Sequence, residues 1–278
     1  MKNENKMKIA YSGVRGAYAY IAAGKIFPEE ERISCPSFGG VYEAVTEGKC
    51  EYGVLPIENS FAGDVAQVMD LLYFGGLYIA GIYEMPIIHH LLGIQGTELG
   101  KIQSVYSHPQ ALDQCCEYIR KKGFQQSAAT NTAVAAKEVA EKKDPTLAAI
   151  ASKETAELYG LKILDRHINE KDDNMTRFVV ISRKPEPLIE RREAFSLILT
   201  VKNEAGAFAK AITTIGQKGF NMRAIRSRPA KSLAWSYYFY IEGEGDLMTG
   251  EGRSMLRELQ DNCEIIRVLG NYPGDIIL

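Results

Sequence analysis

The chain reads as an α/β protein of two alternating lobes followed by a smaller α+β unit, and three features lead there. Short apolar runs of strand type alternate with amphipathic helical stretches from Lys8 to Ile181, the pattern of parallel sheets with helices on their faces. A polar, proline-bearing stretch from Arg183 to Arg192 then breaks the alternation and reads as a linker. Beyond it the expected order is β-α-β-β-α-β, the ferredoxin-like arrangement.

Taken in order, a strand over 8–12 turns through Gly13-Val14-Arg15-Gly16 into a helix over 17–27. Two glycines permit a tight turn, but G-x-x-G is no dinucleotide fingerprint. Arg15 at a helix start suits an anion site and equally suits a solvated turn. A helix over 38–47 and a strand over 52–55 lead to Pro56 and then to Asn59-Ser60. The next helix shows a buried stripe at Val65, Val68, Met69 and Leu72. Helix capping is the default role of Asn59 and Ser60, yet paired hydrogen-bonding side chains after a bend also suit a pocket.

Strands over 77–82 and 86–94 carry the chain into the second lobe. A strand over 103–106 precedes Ser107-His108-Pro109-Gln110, which opens a helix with proline near its first position. Leu112, Cys115, Cys116 and Ile119 form its apolar stripe, leaving Ser107, Gln110 and Gln114 as a row of uncharged donors on another side. His108 beside Pro109 reads as a cap. Thr130-Asn131-Thr132 caps an alanine-rich helix, a buried strand covers 147–151, and Ser152 starts a helix ending near Gly160. After a strand over 162–165 and a polar loop comes Asn174-Met175-Thr176-Arg177, set before the apolar run 178–181. Several of these helix starts are placed to face one cleft, which would attract an anion with few charged side chains. In the last unit the expected elements are strands over 195–201, 222–228, 235–242 and 265–269, with helices over 206–218 and 250–260.

Composition narrows the function. With 278 residues, 46% apolar and 24% charged, the chain can bury the cores of two or three domains. Its 33 basic and 35 acidic residues include no dense basic run, so neither nucleic acid nor an anionic membrane is an expected partner. No apolar stretch approaches the ~20 residues of a membrane span, and the expected location is cytoplasmic. Five cysteines without a C-x-x-C pair read as buried thiols, and His89 with His90, adjacent in a strand-like stretch, make poor joint ligands. No metal is expected.

Asn59-Ser60 in LPIENSFAG, SHPQALDQC from Ser107, NTAVAA from Asn131, AAIAS from Ala148 and NMTRF from Asn174 together resemble prephenate dehydratase, with a C-terminal ACT domain from about Phe195. The likeness covers nearly the whole chain. It implies a catalytic region over 1–183, with lobes resembling type II periplasmic binding proteins at 1–83 plus 168–183 and at 84–167, a linker over 184–194, and an ACT domain over 195–278. The implied reaction takes prephenate to phenylpyruvate with loss of carbon dioxide and water, and no cofactor. Arogenate dehydratase is a similar alternative, and a non-catalytic amino-acid sensor is a rival of another class.

The resemblance implies Thr176 as the catalytic hydroxyl and places Asn59, Ser107 and Gln114 around the substrate; Arg15 and Arg177 suit its negative charges, and Ser60, Gln110, Thr132 and Asn174 are further expected contacts. It further implies phenylalanine as an effector at Gly206, Ala207, Phe208, Arg226, Ser227, Arg228 and Pro229, in a homodimer or homotetramer. Ala19 stands where the family commonly has serine or threonine, and Phe208 where it has leucine. Arg226 replaces a glutamate, a charge reversal expected beside the effector site. No mutase domain is expected before the first motif.

Overall fold

The computed structural model describes residues 6–230 and 236–278. The first lobe is built from β1 (Lys8–Ser12), α1 (Tyr18–Ile26), β2 (Glu31–Cys35), α2 (Phe38–Thr46), β3 (Tyr52–Asn59), β4 (Gly63–Asp64), α3 (Ala66–Phe74) and β5 (Tyr78–Pro86). The second contains β6 (His90–Gly93), β7 (Ser104–Ser107), α4 (Pro109–Asp113), α5 (Cys116–Lys122), β8 (Gln125–Ala128), α6 (Thr132–Lys142), β9 (Leu147–Ala151), α7 (Lys153–Tyr159) and β10 (Lys162–Asp165). The chain then returns to the first lobe as β11 (Met175–Ser182). The last unit holds β12 (Ala194–Thr200), α8 (Ala207–Gln217), β13 (Asn221–Pro229), β14 (Tyr237–Glu244), α9 (Gly250–Asn262) and β15 (Ile265–Tyr272), and β16 (Ile276–Ile277) follows.

Three sheets result. In the first, β16-β5-β11-β3-β1-β2 lie side by side with β4 on β3, and β11 runs antiparallel between β5 and β3. The second has the order β10-β6-β9-β7-β8, and the third is the antiparallel β13-β14-β12-β15 expected of a ferredoxin-like unit. Two short crossings, at 87–89 and 166–174, are the connections between the lobes. Polar starts hold the helices as their residue types require: Ser37 accepts from Gly40 N at 3.1 Å, Asn131 from Val134 N at 2.9 Å and Ser152 from Thr155 N at 3.1 Å.

Several expectations need correction. Strands β2 and β8 were not expected, because β2 carries charge and β8 is exposed, so neither shows an apolar run. The helix after Ser107 breaks at Gln114–Cys115 into α4 and α5, and Cys116 is exposed instead of joining the stripe. The expected linker is docked, with Leu188 N donating to Ala80 O at 2.7 Å. The end of the chain was not expected to reach the first sheet, where β16 pairs with Tyr83 and Glu84. Trp235, expected to start a strand, lies outside the described residues. Among the described residues no helix is long and apolar enough to cross a membrane.

The third sheet packs one face on α8 and α9 and the other on the first lobe, which is why every residue of β12 is buried. Ile198, Tyr238, Tyr240, Leu269 and Tyr272 share a core with Leu55, Leu72, Ile79, Val179 and Ile181 of the first lobe. Along the edge of this shared core lies a charge cluster. Arg177 faces Glu58 and Glu84 as its cross-strand neighbours on β3 and β5. From the last unit Glu242 accepts from Arg177 at 2.7 and 3.2 Å, while Asp275 lies 2.9 Å from the same guanidinium. Arg226 adds contacts to Glu58 at 2.7 Å, to Asp64, and to Glu242 at 3.5 Å. Burial alone would lower the pKa of Arg177, but Glu242, Asp275 and Glu58 outweigh it and hold the side chain firmly charged.

A buried ion cluster adds little over an apolar one, but removing one member strands the others. Glu242→Ala is therefore expected to cost about 3–5 kcal/mol of unfolding free energy in urea titration. Arg226→Glu, which adds a carboxylate to Glu58, Asp64 and Glu242, should cost as much or more. Losses under about 1 kcal/mol in both variants would show the cluster to be solvent-relaxed and unimportant to docking.

Candidate active site

Between the lobes lies a cleft of about 580 Å³. Its wall includes Ala17 to Ala19 at the start of α1, Ser37 and Phe38 at α2, Val65 and Gln67 at α3, His108 and Gln110 at α4, and Asn131 and Thr132 at α6. Five helix N-termini thus border one space. Each presents backbone N–H groups without intrahelical partners and the positive end of its dipole. At α1 and α3 no side chain caps these groups, so they remain for a ligand. Among the described residues no aspartate, glutamate, lysine or arginine lines the cleft, and the site is electropositive through its backbone.

One hydrogen-bonded chain runs along the cleft floor. Asn59 Oδ1 accepts from Phe61 N at 3.1 Å and Ala62 N at 3.0 Å, which fixes its amide, and Gln110 Nε2 adds a third bond at 3.0 Å. Asn59 Nδ2 must then face the other way, donating to Thr176 Oγ1 at 3.0 Å and Asn174 Oδ1 at 2.9 Å. Asn174 Nδ2 in turn donates to Gln114 Oε1 at 2.9 Å. Gln114 Oε1 is therefore an acceptor, and His89 Nε2, 3.0 Å away, carries the proton of a neutral imidazole. The Tyr18 hydroxyl lies 3.0 Å from both His89 Nδ1 and Ile88 O and shares its one proton between these two acceptors. Burial pushes the pKa of His89 down to about 4, consistent with that neutral form.

Two donors emerge from this polarity. Thr176 Oγ1 already accepts from Asn59, so its O–H is left to donate into the cleft that Thr176 lines. Gln114 Nε2 is buried and has no partner among the described residues. Opposite the crossings the lobes touch again, with Thr155 Oγ1 donating to Gly16 O at 2.8 Å and Tyr159 OH to Arg15 O at 2.6 Å. Gly16 allows this approach: its φ is +92°, and a Cβ there would lie 3.1 Å from Leu158.

Asn59, Gln110, Gln114, Thr132 and Thr176 line the cleft, and Asn174 stands directly behind it. The remaining expected residues do not. Arg15 is exposed, its Nε 3.4 Å from Tyr20 OH, and its backbone carbonyl makes the lobe contact. Ser107 is fully buried and donates to Ile150 O at 2.6 Å, because it is the last residue of β7 and its side chain reaches the adjacent strand β9. Ser60 ties the loop below by donating to Asp173 O and accepting from Met175 N.

Arg177 is turned away from the cleft by strand alternation: Thr176 and Phe178 line the cleft, while Arg177 points into the carboxylate cluster. The same alternation divides the expected effector set. Ser227 pairs with Phe239, on which Phe208 stacks at 3.9 Å, just after Gly206 and Ala207 start α8. Arg226 and Arg228 face the first lobe, the latter bonded to Asp70 at 2.8 Å, and Pro229 is exposed. The Arg226 charge is thus committed to first-lobe carboxylates. His89 and Tyr18 were missed, since nothing local marks a histidine at a crossing as a bridge between lobes.

Fold and site together define a two-lobed α/β protein with an electropositive cleft between its lobes. A family model described as prephenate dehydratase matches residues 9–186. Arogenate dehydratase/prephenate dehydratase 2 of Arabidopsis thaliana is 34% identical over 285 residues, covering 99% of this chain and 75% of the relative. The structure of a prephenate dehydratase from Arthrobacter aurescens in complex with L-Phe superposes with a TM-score of 0.88 at 25% identity, over 96% of this chain and 90% of that one. GqqA, described as a quorum quenching acylase, has a TM-score of 0.88 at 32% identity, over 96% and 98%. The chain belongs to the prephenate dehydratase family, whose members are lyases.

The depressed pKa of His89 sets a pH dependence. Between about 4 and the ordinary value of 6.5 the unfolded chain binds the proton that folded His89 refuses. Its contribution to stability is complete above that window and is lost as pH falls through it, up to roughly 3 kcal/mol. Unfolding free energies measured near pH 7 and near pH 4.5 should therefore fall further for the wild type than for His89→Gln. Equal losses in the two proteins would contradict the buried neutral imidazole.

Proposed function

We propose that the cleft binds prephenate and promotes its conversion to phenylpyruvate. The ring carboxylate leaves as carbon dioxide, the electrons of the breaking C–C bond enter the ring, and the C–O bond to the ring hydroxyl breaks. That oxygen departs as water after gaining a proton. Aromatisation supplies the driving force, so the protein's tasks are to hold a dianion and to assist the departing oxygen. Uncapped helix starts, with Gln110, Gln114 and Thr132, serve the first task. The free O–H of Thr176, oriented by Asn59, serves the second by hydrogen bonding or proton relay.

The observation that carries this reading is a cleft bordered by five helix N-termini and lined, among the described residues, by no charged side chain. It also favours prephenate over arogenate, because no carboxylate in the wall would compensate the ammonium of arogenate. An acylase reading is less supported, since an acyl-transfer nucleophile needs a base at its oxygen and Thr176 Oγ1 meets an amide donor instead. The last unit we read as an ACT module binding phenylalanine on the face of Gly206, Ala207, Phe208 and Ser227, between protomers of a homodimer or homotetramer. The L-Phe complex of the Arthrobacter relative supports that reading.

Thr176→Ala is expected to lower kcat for phenylpyruvate formation by about 100-fold or more, while Thr176→Ser stays within about 10-fold of wild type. Steady-state assays with prephenate and with arogenate check both points. Near wild-type turnover in Thr176→Ala, or a preference for arogenate, would overturn the assignment.

A further inference from the structure

We infer that His89 is a positioning residue, whose imidazole at the junction of the lobes holds the Gln114 amide in the orientation that leaves its nitrogen free for substrate. His89 belongs to neither sheet. It lies on the first crossing, and its backbone is pinned to the second: His89 N donates to Asn169 Oδ1 at 2.6 Å and His89 O accepts from Ile168 N at 2.9 Å. Its ring therefore sits where relative motion of the lobes is smallest. From there it reaches both lobes, meeting Tyr18 of α1 at one nitrogen and Gln114 of the second lobe at the other.

Gln114 needs such a support. It stands at the break between α4 and α5, where helical regularity no longer fixes its side chain. Asn174 supplies one donor to Oε1, and one bond leaves the amide plane free to turn. The second donor, His89 Nε2, fixes the plane and with it the direction of the NH2 group. That group is left buried and unpartnered, an arrangement that costs stability unless a ligand oxygen completes it. A neutral imidazole protonated at Nε2 suits the accepting Gln114 oxygen and leaves Nδ1 to share the Tyr18 hydroxyl proton with Ile88 O. Its 2% exposure keeps water from substituting for either partner.

The inference rests on the reading of Gln114 as a substrate contact, and a double-mutant cycle separates the two. Gln114→Ala should raise KM for prephenate about 10-fold, the worth of one hydrogen bond to a charged oxygen. His89→Leu should raise KM by a similar factor with kcat within about 3-fold, because it withdraws support from a binding group and not from Thr176. His89→Gln places an amide donor near the position of Nε2 and should bring KM back within about 3-fold of wild type. In the Gln114→Ala background His89→Leu should add less than about 2-fold, since its target is gone. An unchanged KM in Gln114→Ala would remove the substrate contact and this inference together. A raised KM there, with His89→Leu neutral, His89→Gln as impaired as His89→Leu, or additive losses in the double variant, would overturn the role of His89 alone.

Discussion

Alternation along one strand divides the chemistry of this molecule. On β11, Thr176 and Phe178 line the cleft, while Arg177, Val179 and Ile181 face the last unit. Because β11 lies between β3 and β5, each of its residues has partners on both sides, and the division extends across three strands. Asn59 opposes Thr176 on the cleft side, and Glu58 and Glu84 flank Arg177 on the other. The Thr176 hydroxyl and the ion cluster between the last unit and the first lobe are therefore neighbours on one backbone. A displacement of Glu242 or Asp275 would reach Thr176 through a single peptide unit.

An electropositive cleft without a cationic side chain among the described residues follows from how the lobes are assembled. Parallel β-α units end their strands at one edge, and the following helices start there, so the N-termini gather without any residue having to be charged. Backbone N–H groups carry no side-chain entropy and cannot swing away as an arginine can. The wall is then free to be small and apolar, with Ala17, Ala19, Pro56 and Ala111 leaving room for a ring. In such a site the direction of each remaining polar group matters. The amides of Asn59, Asn174 and Gln114 form one chain whose polarity is set by two backbone N–H groups at its start and by His89 at its end.

The two lobes, the βαββαβ unit and the convergence of helix starts were legible because each follows from local pattern: hydrophobic period, turn residues and caps. Asn59, Gln110, Gln114, Thr132 and Thr176 were legible through the resemblance, and all five reach the cleft wall. What misled was adjacency. Arg177 was grouped with Thr176 and Arg226 with Ser227 because they are consecutive, although consecutive strand residues face opposite ways. Ser107 was placed in a donor row by carrying helical spacing back past the helix start, whereas it ends β7 and its hydroxyl bonds Ile150 O of the neighbouring strand. His89 was weighed only as a metal ligand, since its partners Tyr18 and Gln114 lie 71 and 25 residues away.

A crystal structure of the Thr176→Ala variant with prephenate bound tests most directly whether backbone dipoles, and not cationic side chains, hold the anion. Both substrate carboxylates are predicted within about 3.2 Å of N–H groups at the starts of the helices bordering the cleft or of the Gln110 and Gln114 amides, with the ring hydroxyl facing the vacated Thr176 position. A carboxylate held instead by a guanidinium, whether Arg15 folded inward or Arg177 withdrawn from Glu242, would contradict it.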